Sequence, residues 1–124
     1  PRFVPTRRRN ARRLTGNLQK ANSLQLPTEP EGFKCCWYLY TVRLKNAKSE
    51  RRDKVVERLK QKGIDAFVCY VNPIHLMPYY RRFGTHRLPE TEKDSEWVFS
   101  LPVHPGVTAK QIEYISDSVL QIVK

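Results

Sequence analysis

Apolar and polar positions change period several times along this chain, and each change marks a predicted element. Over residues 5–22, Ala11, Leu14, Leu18 and Ala21 recur three and four apart, the spacing of one helix face. Pro5 suits the first turn of such a helix, whereas Gly16 weakens it by about 1 kcal/mol relative to alanine, so it needs a partner surface. Residues 25–33 hold two prolines and no periodicity, as a linker does. Residues 36–44 give the strongest strand signal, aromatic and β-branched nearly throughout. Ser49 then reads as the N-cap of a helix with Glu50 and Asp53 in its first turn. Val55, Val56 and Leu59 form its apolar face, and Lys62-Gly63 its stop. Residues 64–70 return as a second strand, which makes strand, helix, strand the heart of the domain.

Asn72-Pro73 ends that strand, because a residue before proline is pushed away from helical angles. The loop that follows carries the best candidate chemistry in the chain. His75, Tyr79 and Tyr80 supply one imidazole and two phenols, all able to hydrogen-bond a polyhydroxylated or phosphorylated ligand. The competing reading is that tyrosines around a proline turn pack and leave their hydroxyls wet. A short helix over residues 77–83 ends at Gly84, and Thr91 caps another with Asp94 at its third position. Residues 97–101 form a third strand, and Thr108 caps a last helix with Ile112, Ile115, Val119, Ile122 and Val123 at helical spacing. The sum is an α+β fold: a small, mainly antiparallel three-stranded sheet with helices packed on one face. Trp37, Tyr38, Tyr40, Phe67 and Trp97 offer more apolar surface than such a domain buries, so part of it is expected to meet another domain or subunit.

With 124 residues, 40% hydrophobic and 28% charged, one core is the expectation. No apolar run is long enough to span a bilayer and the start lacks a secretory pattern, so a cytoplasmic protein is expected, with no membrane partner. Cys35, Cys36 and Cys69 have neither disulfide nor zinc spacing and read as small buried hydrophobes; no metal site is indicated. Of the net charge of +11, +7 precedes the first acid, Glu29, which leaves the remainder near balance. That basic segment raises a nucleic-acid-binding or regulatory module as the rival reading. The arginines encircle the helix, however, and only Phe3 sits among them to stack a base, so nucleic acid ranks low as a partner. A start on Pro1 suggests a fragment or a processed chain.

Taken together, Arg8-Arg9-Asn10-Ala11, Trp37 to Val42, Arg52-Asp53, Gly63-Ile64, Tyr70, Pro73, His75, Pro78-Tyr79-Tyr80, Leu88 to Glu92 and Ser100 to Pro105 carry a resemblance. In order and spacing they resemble the C-terminal part of the DegT/DnrJ/EryC1/StrS family, pyridoxal-phosphate-dependent aminotransferases acting on nucleotide-linked keto-sugars. The resemblance runs from about Arg7 to the end. It implies that residues 34–124 are the small domain of a fold-type-I aminotransferase. Residues 1–24 would then be a basic helix leading to a missing large domain. It further implies a homodimer, a nucleotide-sugar substrate, and His75, Tyr79 and Tyr70 as substrate-side contacts. In the family the Schiff-base lysine and the phosphate-holding groups lie upstream in the large domain. Without that lysine the electron-sink chemistry of pyridoxal phosphate has no anchor here. This chain alone is therefore expected to bind no cofactor, to hold no catalytic residue and to be inactive. The sequence departs from the family's habit at Cys69, Asn72 and Tyr38.

Overall fold

A computed structural model describes residues 2–124. Helix α1, Phe3–Leu18, buries Asn10, Ala11, Leu14 and Leu18 and packs on the last helix, α5, Ala109–Ile122. This is the partner surface that the Gly16-weakened stripe required. Strand β1, Leu24–Gln25, pairs antiparallel with β2, Tyr40–Leu44, and β2 pairs antiparallel with β3, Val98–Leu101. The sheet order is β1-β2-β3, with Tyr40 opposite Leu101 and Val42 opposite Phe99. Period-two alternation sends Tyr40, Val42 and Leu44 into the core and leaves Thr41 and Arg43 on the other face. The inward set joins Leu14, Leu18, Leu59, Ile112 and Val119 in one hydrophobic core.

Several expected features differ in the structure, the strands first. The strand predicted over residues 36–44 begins only at Tyr40, since Trp37 takes a left-handed backbone (φ 50°) that turns the chain before pairing starts. The strand predicted over residues 64–70 contracts to one antiparallel bridge. Phe67 exchanges both backbone hydrogen bonds with Ser100, but Ala66 N–H turns back to Ile64 O at 2.8 Å and takes those residues out of the ladder. The third sheet member is instead β1, at the edge of the predicted linker. That linker is also fastened, because Arg8 Nη2 donates to Glu29 Oε1 at 2.6 Å and Nη1 to Cys35 O at 2.7 Å.

Helix α2, Ser49–Gln61, starts one residue earlier than a Ser49 cap requires. Lys48 is its N-cap, Glu50 is its acidic first-turn residue, and Asp53 instead accepts from Arg52 Nε at 2.6 Å. Gly63, at φ 75°, supplies the left-handed stop. Thr108 caps α5 as expected, in a full capping box with Gln111. Thr91 does not cap its helix: α4, Pro89–Trp97, opens on Pro89 with Leu88 as N-cap, which puts Thr91 inside the first turn.

The expected surplus of sheet aromatics is also redistributed. Trp37 and Tyr40 are buried, Phe67 and Trp97 are half-buried, and only Tyr38 stands exposed. The exposed apolar surface lies instead along residues 70–88, where Tyr70, Val71, Ile74, Tyr79 and Phe83 all face solvent. Cys36 and Cys69 are exposed and so are not the buried hydrophobes expected, whereas Cys35 is half-buried against the core.

Candidate functional site

The outer face of the sheet is roofed by α4 and by the loop after Tyr70, and a cavity of about 730 Å³ opens between roof and sheet. Leu39, Thr41 and Val98 form its floor, and Pro73, Ile74, His75, Tyr80, Phe83 and Leu88 most of its roof. The roof is built from short pieces. A 3₁₀ turn, Ile74–Leu76, follows Pro73, and helix α3, Pro78–Arg81, starts on Pro78. Pro73, directly before the turn, and Pro78, two residues after it, preset the backbone and leave little room for longer helix.

His75 is the fixed point of this roof. Its side chain is only 8% exposed, and its Nε2 lies 3.0 Å from Oε1 of Glu92 in the first turn of α4. The same Oε1 accepts from the backbone N–H of Leu88, also at 3.0 Å. The far end of α4 is tied down by Arg52, whose side chain is 1% exposed. Its Nη1 donates to Ser95 O at 2.6 Å and to Val98 O at 3.1 Å. Asp94, on the cavity wall, pairs with Arg43, which lies 4.6 Å from the centre of the Trp97 ring.

The structure brings Tyr70 and His75 together on this cavity. Tyr79 falls outside its lining, in a surface cluster with Tyr80 and Phe83, where Arg82 stacks on its ring at 3.9 Å and donates to its hydroxyl at 2.6 Å. Tyr80, one residue on, takes the place on the wall. Glu92 and Arg52 entered the sequence reading only as part of the family resemblance; by residue type both stand among charged residues that read as helix surface. A glutamate in the first turn after a helix-opening proline was the one available hint.

Glu29 and Glu92 are both held below the ordinary carboxylate range, the first by its hydrogen bond from Arg8 and the second by that from His75. A carboxylate depressed in the folded state stabilises it above the unfolded value and loses that contribution as pH falls through the folded one. Stability is therefore expected to fall as the pH is lowered through and below the ordinary carboxylate range. In Glu29→Gln and Glu92→Gln the acid limb should be shallower and the urea midpoint at neutral pH lower; urea titrations across that range check both.

The sequence profile of the DegT/DnrJ/EryC1/StrS aminotransferase family matches residues 1–120. The chain belongs to that family. It is 30% identical over 124 residues to a pleiotropic regulatory protein of Geobacillus stearothermophilus, covering 97% of this chain and 32% of that protein. It is 28% identical over 127 residues to dTDP-3-amino-3,4,6-trideoxy-alpha-D-glucose transaminase of Micromonospora megalomicea subsp. nigra, covering 98% and 33%. Among solved structures, the aminotransferase TlmJ from Streptoalloteichus hindustanus superposes with a TM-score of 0.87 at 29% identity, over 98% of this chain and 32% of that one. The chain thus spans about a third of the length of each of these three proteins. All ten lysines are exposed and none lies on the cavity wall. No helix among the described residues is long and apolar enough to cross a membrane.

Proposed function

We propose that this chain is the C-terminal small domain of a pyridoxal-phosphate-dependent aminotransferase acting on nucleotide-linked keto-sugars. In this reading residues 34–124 form the domain, residues 25–33 the linker, and residues 1–24 the helix that leads from a large domain. Cofactor and Schiff-base lysine belong to that large domain, and a second subunit completes the homodimer. The observation that carries the reading is the anchored His75 ring on the cavity wall of a family member.

The chemistry of the segment suits such a substrate. Tyr70 and Tyr80 offer aromatic faces for the apolar side of a sugar ring and hydroxyls for its polar rim. His75 supplies a nitrogen whose ring position is already fixed. Arg81, Arg82 and Arg87 are exposed on the same segment, where they can meet the diphosphate of a sugar nucleotide. The arginines of α1 are less available than the net charge suggests. Arg8 is bound to Glu29 and Arg7 lies 5.6 Å from the centre of the Tyr38 ring, which weakens the nucleic-acid reading.

The test is a graft. This chain, fused in place of the corresponding third of a sugar-nucleotide transaminase, is expected to restore the absorption band of bound pyridoxal phosphate and amino transfer to the keto-sugar nucleotide. The chain alone is expected to do neither. A folded graft that binds cofactor but transfers no amino group would sink the reading.

A further inference from the structure

We propose that Glu92 is the positioning residue for His75: its carboxylate locks the imidazole as the Nε2–H tautomer, so that Nδ1 is the nitrogen offered to a ligand. The inference starts from valence. An ionised carboxylate can only accept, and Oε1 of Glu92 lies 3.0 Å from His75 Nε2, so the proton between them belongs to the ring. Nδ1 is then left without that proton in the neutral ring and is free to accept from a hydroxyl.

Glu92 is itself held by three links. Its Oε1 takes the N–H of Leu88, the N-cap of α4, and its own N–H donates back to Leu88 O at 2.9 Å. This reciprocal lock resembles a capping box displaced by one residue. Ser95 Oγ donates to Glu92 O at 2.6 Å, and Arg52 holds Ser95 in turn. The imidazole is therefore tied to the sheet side of the domain through α4, although it sits on a loop. Its burial to 8% leaves the ring few other orientations. Loops place side chains loosely, and a carboxylate braced on a helix supplies the rigidity that the loop lacks. The ionisation of Glu92 is favoured by these same donors and by the nearby Arg87 charge.

The importance of Nδ1 to a ligand rests on the function proposed above, whereas the lock itself can be tested without substrate. In ¹H–¹⁵N NMR of this chain, with the imidazole neutral, the ring proton of His75 is expected on Nε2 and slow enough in exchange to be seen. Glu92→Gln retains an acceptor oxygen and should keep that signal, while Glu92→Ala should lose it and speed exchange of the Leu88 amide. A proton found on Nδ1, or an Nε2–H signal unchanged in Glu92→Ala, overturns the proposal. If Glu92→Ala does not fold, the wild-type tautomer and the Glu92→Gln spectrum still decide it. In the graft, Glu92→Ala should raise KM about tenfold in the presence of His75 and by little in a His75→Ala background, since two residues acting as one unit are not additive. Equal effects in both backgrounds also overturn it. A His75→Ala variant with unchanged KM would remove the function reading while leaving the NMR result to judge Glu92.

Discussion

Replacing Arg52 by alanine is expected to destabilise the fold by about 2 to 5 kcal/mol, because two backbone carbonyls lose their donor and a buried side chain is removed. The guanidinium is 1% exposed and bonds the carbonyls of Ser95 and Val98, at the junction of α4 and β3. Each carbonyl left without a partner costs about 1 to 3 kcal/mol. The lost side chain also leaves a void among α2, α4 and β3. Arg52→Met fills the void and restores no donor, so it should fall between wild type and alanine. Asp53, the ion-pair partner, is 60% exposed, and Asp53→Ala should change stability by less than about 1 kcal/mol. Urea unfolding of the three variants checks the order; a small loss in Arg52→Ala would mean that α4 is held by something else.

Leu14→Ala is expected to cost about 2 to 5 kcal/mol, as full burial of a leucine implies. Leu14 is 0% exposed in the seam between α1 and α5. On the same helix Arg13 is exposed, and Arg13→Ala should stay within about 0.5 kcal/mol. The contrast separates two roles for α1. If the helix were only a connector, both substitutions would be nearly silent in urea titrations of this chain. If it closes the core, only the leucine matters.

Where local physics decides the structure, the sequence showed it. Val55, Val56 and Leu59 fall on the buried face of α2, Thr108 caps α5, and Tyr40 to Leu44 pair in the centre of the sheet. Where a distant partner decides, it did not. Residues 64–70 have strand composition, yet a tight turn at Ile64–Ala66 leaves Phe67 alone to pair with Ser100. Trp37 belongs to an aromatic run but takes an angle that strand propensity argues against. Arg52 reads as one more charge on a polar helix, because nothing local reveals that two carbonyls lie 43 and 46 residues away.

The candidate site divides in the same manner. His75 was legible from its chemistry and from the prolines around it. Its tie to Glu92, 17 residues on, was not, because no sequence period links a loop to the first turn of a later helix. Tyr70 and His75 both line the cavity, whereas the order of Tyr79 and Tyr80 on the wall depends on how a single turn of helix is rotated. The family match covers the whole arrangement, from α1 to α5.

The central claim is that this domain binds the substrate and leaves the cofactor to another part of the protein. Its most direct measurement is the KM for keto-sugar nucleotide, taken beside the pyridoxal phosphate absorption band, in the graft carrying His75→Ala. The expected result is a KM raised about tenfold, the loss of one good hydrogen bond to substrate, with the band unchanged. A KM equal to wild type, or a band that disappears with the imidazole, would contradict it.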